Sequence, residues 1–190
     1  MKIRIIGSVG SGKTTLAKKL SEWYQIDYFE TDRIVWKREG IEVRRTDAEK
    51  IATLKEILQQ ENWIIEGVHL EAWAIESIDR ADVIIFLDLP KKQIRQQLRK
   101  RQVKQLLRIE RAHYPVRFNM LKKMFYWDDL FDQRTKPLIE KRMMQNPEKW
   151  LVIKEKKRYK KLKREWHSIY RRNSYVFCSF QELLVAYMTK

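Results

Sequence analysis

Gly7-Ser8-Val9-Gly10-Ser11-Gly12-Lys13-Thr14 is the stretch from which the rest of the chain is read. It fits the pattern G-x-x-x-x-G-K-[ST]. It follows a short β-branched run at 2–6 (KIRII) and opens 13–24, where Leu16, Leu20 and Trp23 recur at helical spacings. Strand, glycine-rich turn and helix in direct succession are the setting in which this pattern wraps a phosphate. Glycines let consecutive backbone N–H groups turn inward, and the new helix adds the positive end of its dipole. Average composition would give the pattern by chance in roughly 1% of chains this long or fewer. Three of the chain's five glycines lie inside it. Gly7, Ser8, Gly10, Ser11, Gly12, Lys13, Thr14 and Thr15 are therefore the expected nucleotide-binding residues. Lys13 is expected to reach the β- and γ-phosphates, and the Thr14 hydroxyl to ligate Mg²⁺. ATP is expected rather than GTP, because the sequence carries no N-K-x-D guanine motif.

Outward from the loop, strand and helix signals keep alternating. Residues 26–30 (IDYFE), 63–66 (WIIE), 83–87 (VIIFL) and 150–153 (WLVI) read as further strands. The third of these is apolar throughout, as expected for a strand buried on both faces. Between them, 31–46 reads as irregular. Asp47 is the expected N-cap of a helix through Gln60, with Ile51, Leu54, Ile57 and Leu58 on one face. Residues 70–80 read as helix, and 91–111 as a long basic helical stretch ended by His113-Tyr114-Pro115. Residues 117–145 read as helix interrupted near Asp128–Asp132 and at Pro137. Tyr159, Leu162, Trp166 and Ile169 mark one face of a last helix, and 173–190 a tail element in which Ser179 and Glu182 have capping-box spacing. Five apolar strands alternating with helices imply a three-layer α/β/α fold on a mainly parallel sheet.

Composition narrows the class. The 190 residues suit one domain that buries about 70% of its unfolded surface without a staple. A single cysteine, Cys178, excludes an internal disulfide and a cysteine-rich zinc site. The apolar runs are too short to span a membrane, and the N-terminus lacks the pattern of a secretion signal, so a cytoplasmic protein is expected. Charge is divided unevenly: residues 1–90 carry a net −3 and 91–190 a net +19. Eight of the eleven residues at 154–164 are basic. Such asymmetry points to a polyanionic ligand or partner, nucleotide phosphates or a nucleic acid. A carboxylate ending a central strand, as Asp88 does at the end of 83–87, lies beside the ligand crevice of such sheets.

GSVGSGKTTLAKKL at 7–20, YFETDRIVW at 28–36, WIIEGVH at 63–69 and ADVIIFLDLP at 81–90 together resemble the small P-loop kinases related to adenylate, shikimate and nucleoside kinases. The resemblance runs over residues 1–165 and is closest to the DNA topology modulation protein family. It implies a P-loop NTPase fold with a five-stranded sheet and a helical lid. Residues 1–170 would form the kinase-like domain, with an acceptor-covering segment at 31–62 and a lid at 91–136, and 171–190 a tail. The implied activity is Mg·ATP-dependent transfer of the γ-phosphoryl group to a small molecule. A nucleoside or nucleoside monophosphate is the leading acceptor, and a non-nucleotide acceptor, as in shikimate kinases, the second. The alternative is a nucleic-acid-associated ATP-binding protein with little kinase activity.

The same resemblance suggests site roles. Asp32 would orient or deprotonate the acceptor, with Glu30 beside it, and Asp88 would help organise Mg²⁺. Arg101 is the best match for a lid arginine, with Arg95, Arg99, Arg108 and Arg111 as neighbours, although Gln97 stands where related kinases commonly have arginine. Arg33, Trp36, Arg44 and Arg45 fall in the covering segment, Glu66-Gly67 lines the acceptor pocket, and Lys154 to Lys157 fall in the loop that touches adenine. His69 reads as structural.

Overall fold

Period-two alternation in the strands sorts the apolar side chains into two layers. In the computed structural model, which describes residues 1–37, 43–107 and 118–155, the elements run β1 (Lys2–Gly7), α1 (Lys13–Tyr24), β2 (Tyr28–Glu30), α2 (Thr31–Val35), β3 (Trp36–Lys37), β4 (Val43–Arg44), α3 (Asp47–Leu58), β5 (Trp63–Glu66), α4 (Ala72–Asp79), β6 (Val83–Leu87), α5 (Lys91–Leu106), α6 (Phe118–Leu130), α7 (Lys136–Gln145) and β7 (Trp150–Ile153). Five strands form one parallel sheet in the order β2-β5-β1-β6-β7, and β3 and β4 form a two-residue antiparallel ladder beside it.

On one face Ile3, Ile5, Ile64, Ile85 and Leu151 pack against Leu16, Ala17 and Leu20 of α1. On the other, Ile6, Trp63, Ile65, Phe86 and Trp150 pack against α2, α3, α4 and α7. A third, smaller cluster of Leu89, Ile94, Leu98 and Met124 joins α5 to α6, and Val9 of the loop packs against it. The five expected strands all form, and with helices on both faces they give the expected α/β/α sheet, the P-loop NTPase architecture.

Two local details differ from the sequence expectation, and a third gives the expected helix interruption its form. The N-cap of α3 is Thr46, not Asp47: the Glu49 amide donates to Thr46 Oγ1 at 3.3 Å, and Glu49 Oε2 accepts from the Thr46 amide at 2.7 Å. Asp47 instead pairs with Lys50 at 2.7 Å. The segment 31–46 is not irregular throughout. Arg45 donates its guanidinium to the carbonyls of Arg33 and Ile34 at 2.7 and 3.2 Å, and its amide to Val35, which fixes α2 and the turn into β3. Finally, the helical run after 118 widens into a π turn at Phe131–Thr135 before α7 opens with Lys136-Pro137. Proline has no N–H and clashes with the carbonyl four residues back, so the regular ladder gives way just before it. The last predicted helix face, the tail at 171–190, Arg108 and Arg111 lie outside the described residues.

Candidate functional site

The loop from Gly7 to Thr14 leaves the carboxyl end of β1, the central strand, and turns into α1. The Ser11 amide closes it on the Ser8 carbonyl at 3.2 Å. Gly10 has φ +74°, and a Cβ there would stand 2.5 Å from Leu98 Cδ2 of α5, so both conformation and close approach demand glycine. Ser8 and Ser11 are buried, Gly12 caps α1, and Thr15 is exposed on the first turn of the helix.

Lys13 folds back over its own loop and donates to the Ser8 carbonyl at 2.9 Å. Burial pulls its ammonium below the ordinary lysine pKa, while Glu66 and Asp32 act in the opposite sense. Arg101 also acts on it by charge, so the side chain expected from the lid does lie within electrostatic reach of the loop lysine. Thr14 Oγ1 donates to Glu66 Oε1. Glu66 is buried at the end of β5, in register with Ile5 on one side and Glu30 on the other. Burial raises its carboxyl pKa; Lys13 and the Thr14 hydroxyl oppose this, and Glu30 and Asp32 add to it.

Beneath this group lies Arg4, fully buried in the middle of β1. Its guanidinium donates to the carbonyls of Ile5 and Ile65 at 3.0 and 3.2 Å and of His69 at 3.1 Å. Burial brings it down to about 10, against the pull of Glu66 and Glu71. Two cations, Arg4 and Lys13, thus face three carboxylates, Glu30, Asp32 and Glu66, around the carboxyl ends of β1, β2 and β5.

Asp32 is on the first turn of α2, not on the strand that carries Glu30, and is exposed. Its Oδ1 is 3.3 Å from His69 Nε2, and His69 Nδ1 is 3.1 Å from Glu71 Oε2. Glu30 pairs with Arg33 at 3.4 Å. Asp88 lies one strand away at the end of β6, where Lys136 of α7 donates to it at 2.6 Å. On the other side of the loop, the Ser8 hydroxyl donates to Asp128 Oδ1 of α6 at 2.6 Å. Arg95 pairs with Asp129 at 2.8 Å and lies over the Phe125 ring, as does Arg99.

The geometry brings Lys13, Thr14, Asp32 and Arg101 together around one loop, and sets Asp88 against Lys136 instead. Glu66, Arg4 and Asp128 carry contacts that sequence reading did not give them. Two had a signal: Arg4 is a charge inside an otherwise apolar strand, and Glu66 ends the strand that neighbours β1. Asp128 had none, being 120 positions from Ser8.

A family model described as an AAA domain matches residues 3–115, more than half of the chain, and the chain belongs to that family. Among individual proteins, the bifunctional shikimate kinase/3-dehydroquinate synthase of Thermotoga maritima is 39% identical over 59 residues, 30% of this chain and 12% of that protein. The shikimate kinase of Aquifex aeolicus is 28% identical over 102 residues, 47% of this chain and 61% of that one. The matches thus span less than two thirds of either relative. Solved structures with a similar chain path include a shikimate kinase from Bacteroides thetaiotaomicron, with a TM-score of 0.49 and 18% identity over 70% of this chain and 79% of that one. A deoxyadenosine kinase from M. mycoides, solved with bound dATP, gives 0.48 and 16% over 81% and 91%.

Proposed function

We propose that this protein is a Mg·ATP-dependent phosphotransferase that phosphorylates a hydroxyl of a small molecule. The observation that carries the reading is the convergence of a glycine-tight phosphate loop, a partly buried Lys13, the Thr14–Glu66 pair and the exposed Asp32 at one end of a parallel sheet. The donors fit the groups they are asked to hold. Lys13 has as its partner the carbonyl of its own loop, which a phosphate oxygen would replace. Thr14 and Glu66 offer hard oxygen donors of the kind that Mg²⁺ takes together with phosphate and water. Bound Mg·ATP would supply the transferable phosphoryl group and neutralise part of its charge.

Lys13 and Arg101 balance the charge that builds on the transferring oxygens. Asp32 accepts the proton of the attacking hydroxyl, or aims it. Gly7 to Thr15 hold the triphosphate, and Asp88, paired with Lys136 in this structure, would help Thr14 organise Mg²⁺. The +19 half of the chain favours a polyanionic ligand in either reading, and the curated relatives named as shikimate kinases support a small acceptor. Two acceptor classes share the required chemistry: a nucleoside or nucleoside monophosphate, and a small hydroxylated acid.

Screening both classes with labelled ATP is the direct test. Lys13→Ala should abolish transfer while the melting temperature stays near that of the wild type. Asp32→Asn should cut turnover on the true acceptor by about 10²-fold or more. Full turnover in either variant would overturn its assignment. A wild type that transfers to nothing, yet binds DNA or RNA with affinity falling steeply as salt rises, would instead favour a nucleic-acid-associated ATP-binding protein.

A further inference from the structure

His69 read as structural in the sequence, yet its ring lies between the proposed acceptor-activating carboxylate and a second acid. Nε2 is 3.3 Å from Asp32 Oδ1, and Nδ1 is 3.1 and 3.2 Å from the two Glu71 oxygens. Neutral imidazole has one N–H, so only the imidazolium can donate to both partners.

The placement is built from several independent contacts. Gly67 ends β5 with φ +147°, and a Cβ there would lie on the Thr31 side chain. The absence of that Cβ lets the segment after β5 press against the first turn of α2, which carries Asp32. Arg4, buried below, donates to the His69 carbonyl at 3.1 Å and fixes the backbone. The Trp73 ring packs against the imidazole at 5.5 Å. The result is a histidine side chain 18% exposed beside an aspartate side chain 63% exposed.

We propose that His69 is a positioning residue: fixed by Glu71, Trp73 and Arg4, it holds the Asp32 carboxylate toward the acceptor at the mouth of the phosphate loop. This rests on the phosphotransferase reading and on the role of Asp32 in it. No bond is made or broken at His69. It acts through Asp32 and gives its proton to neither substrate.

The electrostatics agree with the geometry. Burial disfavours the charged ring, but hydrogen bonds to Asp32 and Glu71 outweigh it and raise the His69 pKa above the ordinary value. Glu71 is lowered to about 2, chiefly by its bond to His69. The charged groups around the ring are Asp32 from α2, Glu71 at the N-cap of α4, Lys50 from α3, 6.0 Å from the Trp73 ring, and Arg4 from β1. The ring is therefore the charged partner below its raised pKa and loses one donor above it.

The experiment has two arms, both on the full chain. In the first, the His69 ring is titrated by NMR without nucleotide, its signal assigned by its loss in His69→Gln. Asp32→Asn should lower the His69 pKa, and so should Glu71→Gln. A His69 pKa unmoved by Asp32→Asn overturns the proposal. This arm decides the contact even if no acceptor is ever phosphorylated, so it separates failure of the positioning idea from failure of the enzyme reading. In the second, steady-state rates are measured. His69→Ala should lower kcat by about 10²-fold, the scale of a misplaced reacting group, with the KM for ATP unchanged. His69→Gln, which keeps an N–H toward Asp32, should restore a good part of it. Wild-type turnover should fall as pH rises through the His69 pKa, and His69→Gln should lack that limb. Equal kcat in all three proteins, or a loss confined to KM, refutes the role.

Discussion

The sheet and the α5–α6 pair above the loop solve burial in opposite ways. In the sheet, every residue of β6 and all but the edge of β1 is buried, and alternation alone decides which layer each side chain joins. Between α5 and α6 the apolar cluster shrinks to Leu89, Ile94, Leu98 and Met124 with partly buried neighbours. Charged groups hold the rest: Lys91 with Asp129 and, at 3.5 Å, Asp132; Arg95 with Asp129; Asp128 with Ser8. Apolar burial is non-directional and tolerates no partial opening, whereas exposed ion pairs each contribute about 0–1 kcal/mol and weaken with salt. The comparison teaches that the sheet holds the larger apolar share of the stability, and that the cover over the phosphate loop is fastened in part by partly exposed ion pairs that salt weakens.

The largest expected effect breaks the sheet side. Trp63 is 0% exposed and packs within the larger core cluster. Trp63→Ala should cost about 3–5 kcal/mol, read as a lowered urea midpoint, and leave the chain at the edge of folding. A loss below about 1 kcal/mol would mean that the sheet does not carry the stability.

A smaller effect sharpens the other side. Asp128 is buried, with Ser8 Oγ on one oxygen and Arg95 Nε 3.9 Å from the other. Burial raises its carboxyl pKa, against the Ser8 bond and the charges of Lys91 and Arg95. The folded state therefore binds this proton more tightly than the unfolded chain does. Stability should fall as pH rises from the ordinary carboxylate value through the raised one, and level off above it. Asp128→Asn keeps an acceptor for Ser8 and removes that slope, so at neutral pH it should be at least as stable as the wild type. Asp128→Ala leaves the buried Ser8 hydroxyl without its acceptor and should cost about 1–3 kcal/mol. Thermal melts across pH check both, and an Asn variant less stable than the Ala variant would contradict the account.

The same contrast explains what was legible in the sequence. Strand alternation and the glycine-rich loop are local signals, so all five sheet strands and the position of Lys13 and Thr14 could be read directly. Asp32 and Arg101 came from resemblance, and the structure brings both within charge reach of Lys13. What was not legible depends on pairs far apart in sequence: Thr14 with Glu66, Ser8 with Asp128, His69 with Asp32, Lys136 with Asp88. A lone carboxylate carries no sign of which partner the topology will bring to it. Asp88 illustrates the cost: its place at a strand end was right, while the lysine of α7 that occupies it lies 48 positions on.

The smallest expected effect concerns an element that belongs to neither side. At the start of α3, both Thr46 and Asp47 are residue types that cap helices, and they compete for the same role. The outcome follows from Glu49, which stands three residues after Thr46 and returns a bond to its amide at 2.7 Å, a reciprocity unavailable to a cap at Asp47, whose third residue on is Lys50. Thr46→Ala should therefore cost about 1 kcal/mol, and Asp47→Ala, which loses only a pair with Lys50, distinctly less. Because Ile57 and Leu58 of the same helix pack into the sheet's larger cluster, fraying at its first turn should lower the melting temperature without changing the affinity of the loop for nucleotide. Equal losses from the two variants would mean that the reciprocal bond contributes nothing beyond ordinary first-turn electrostatics.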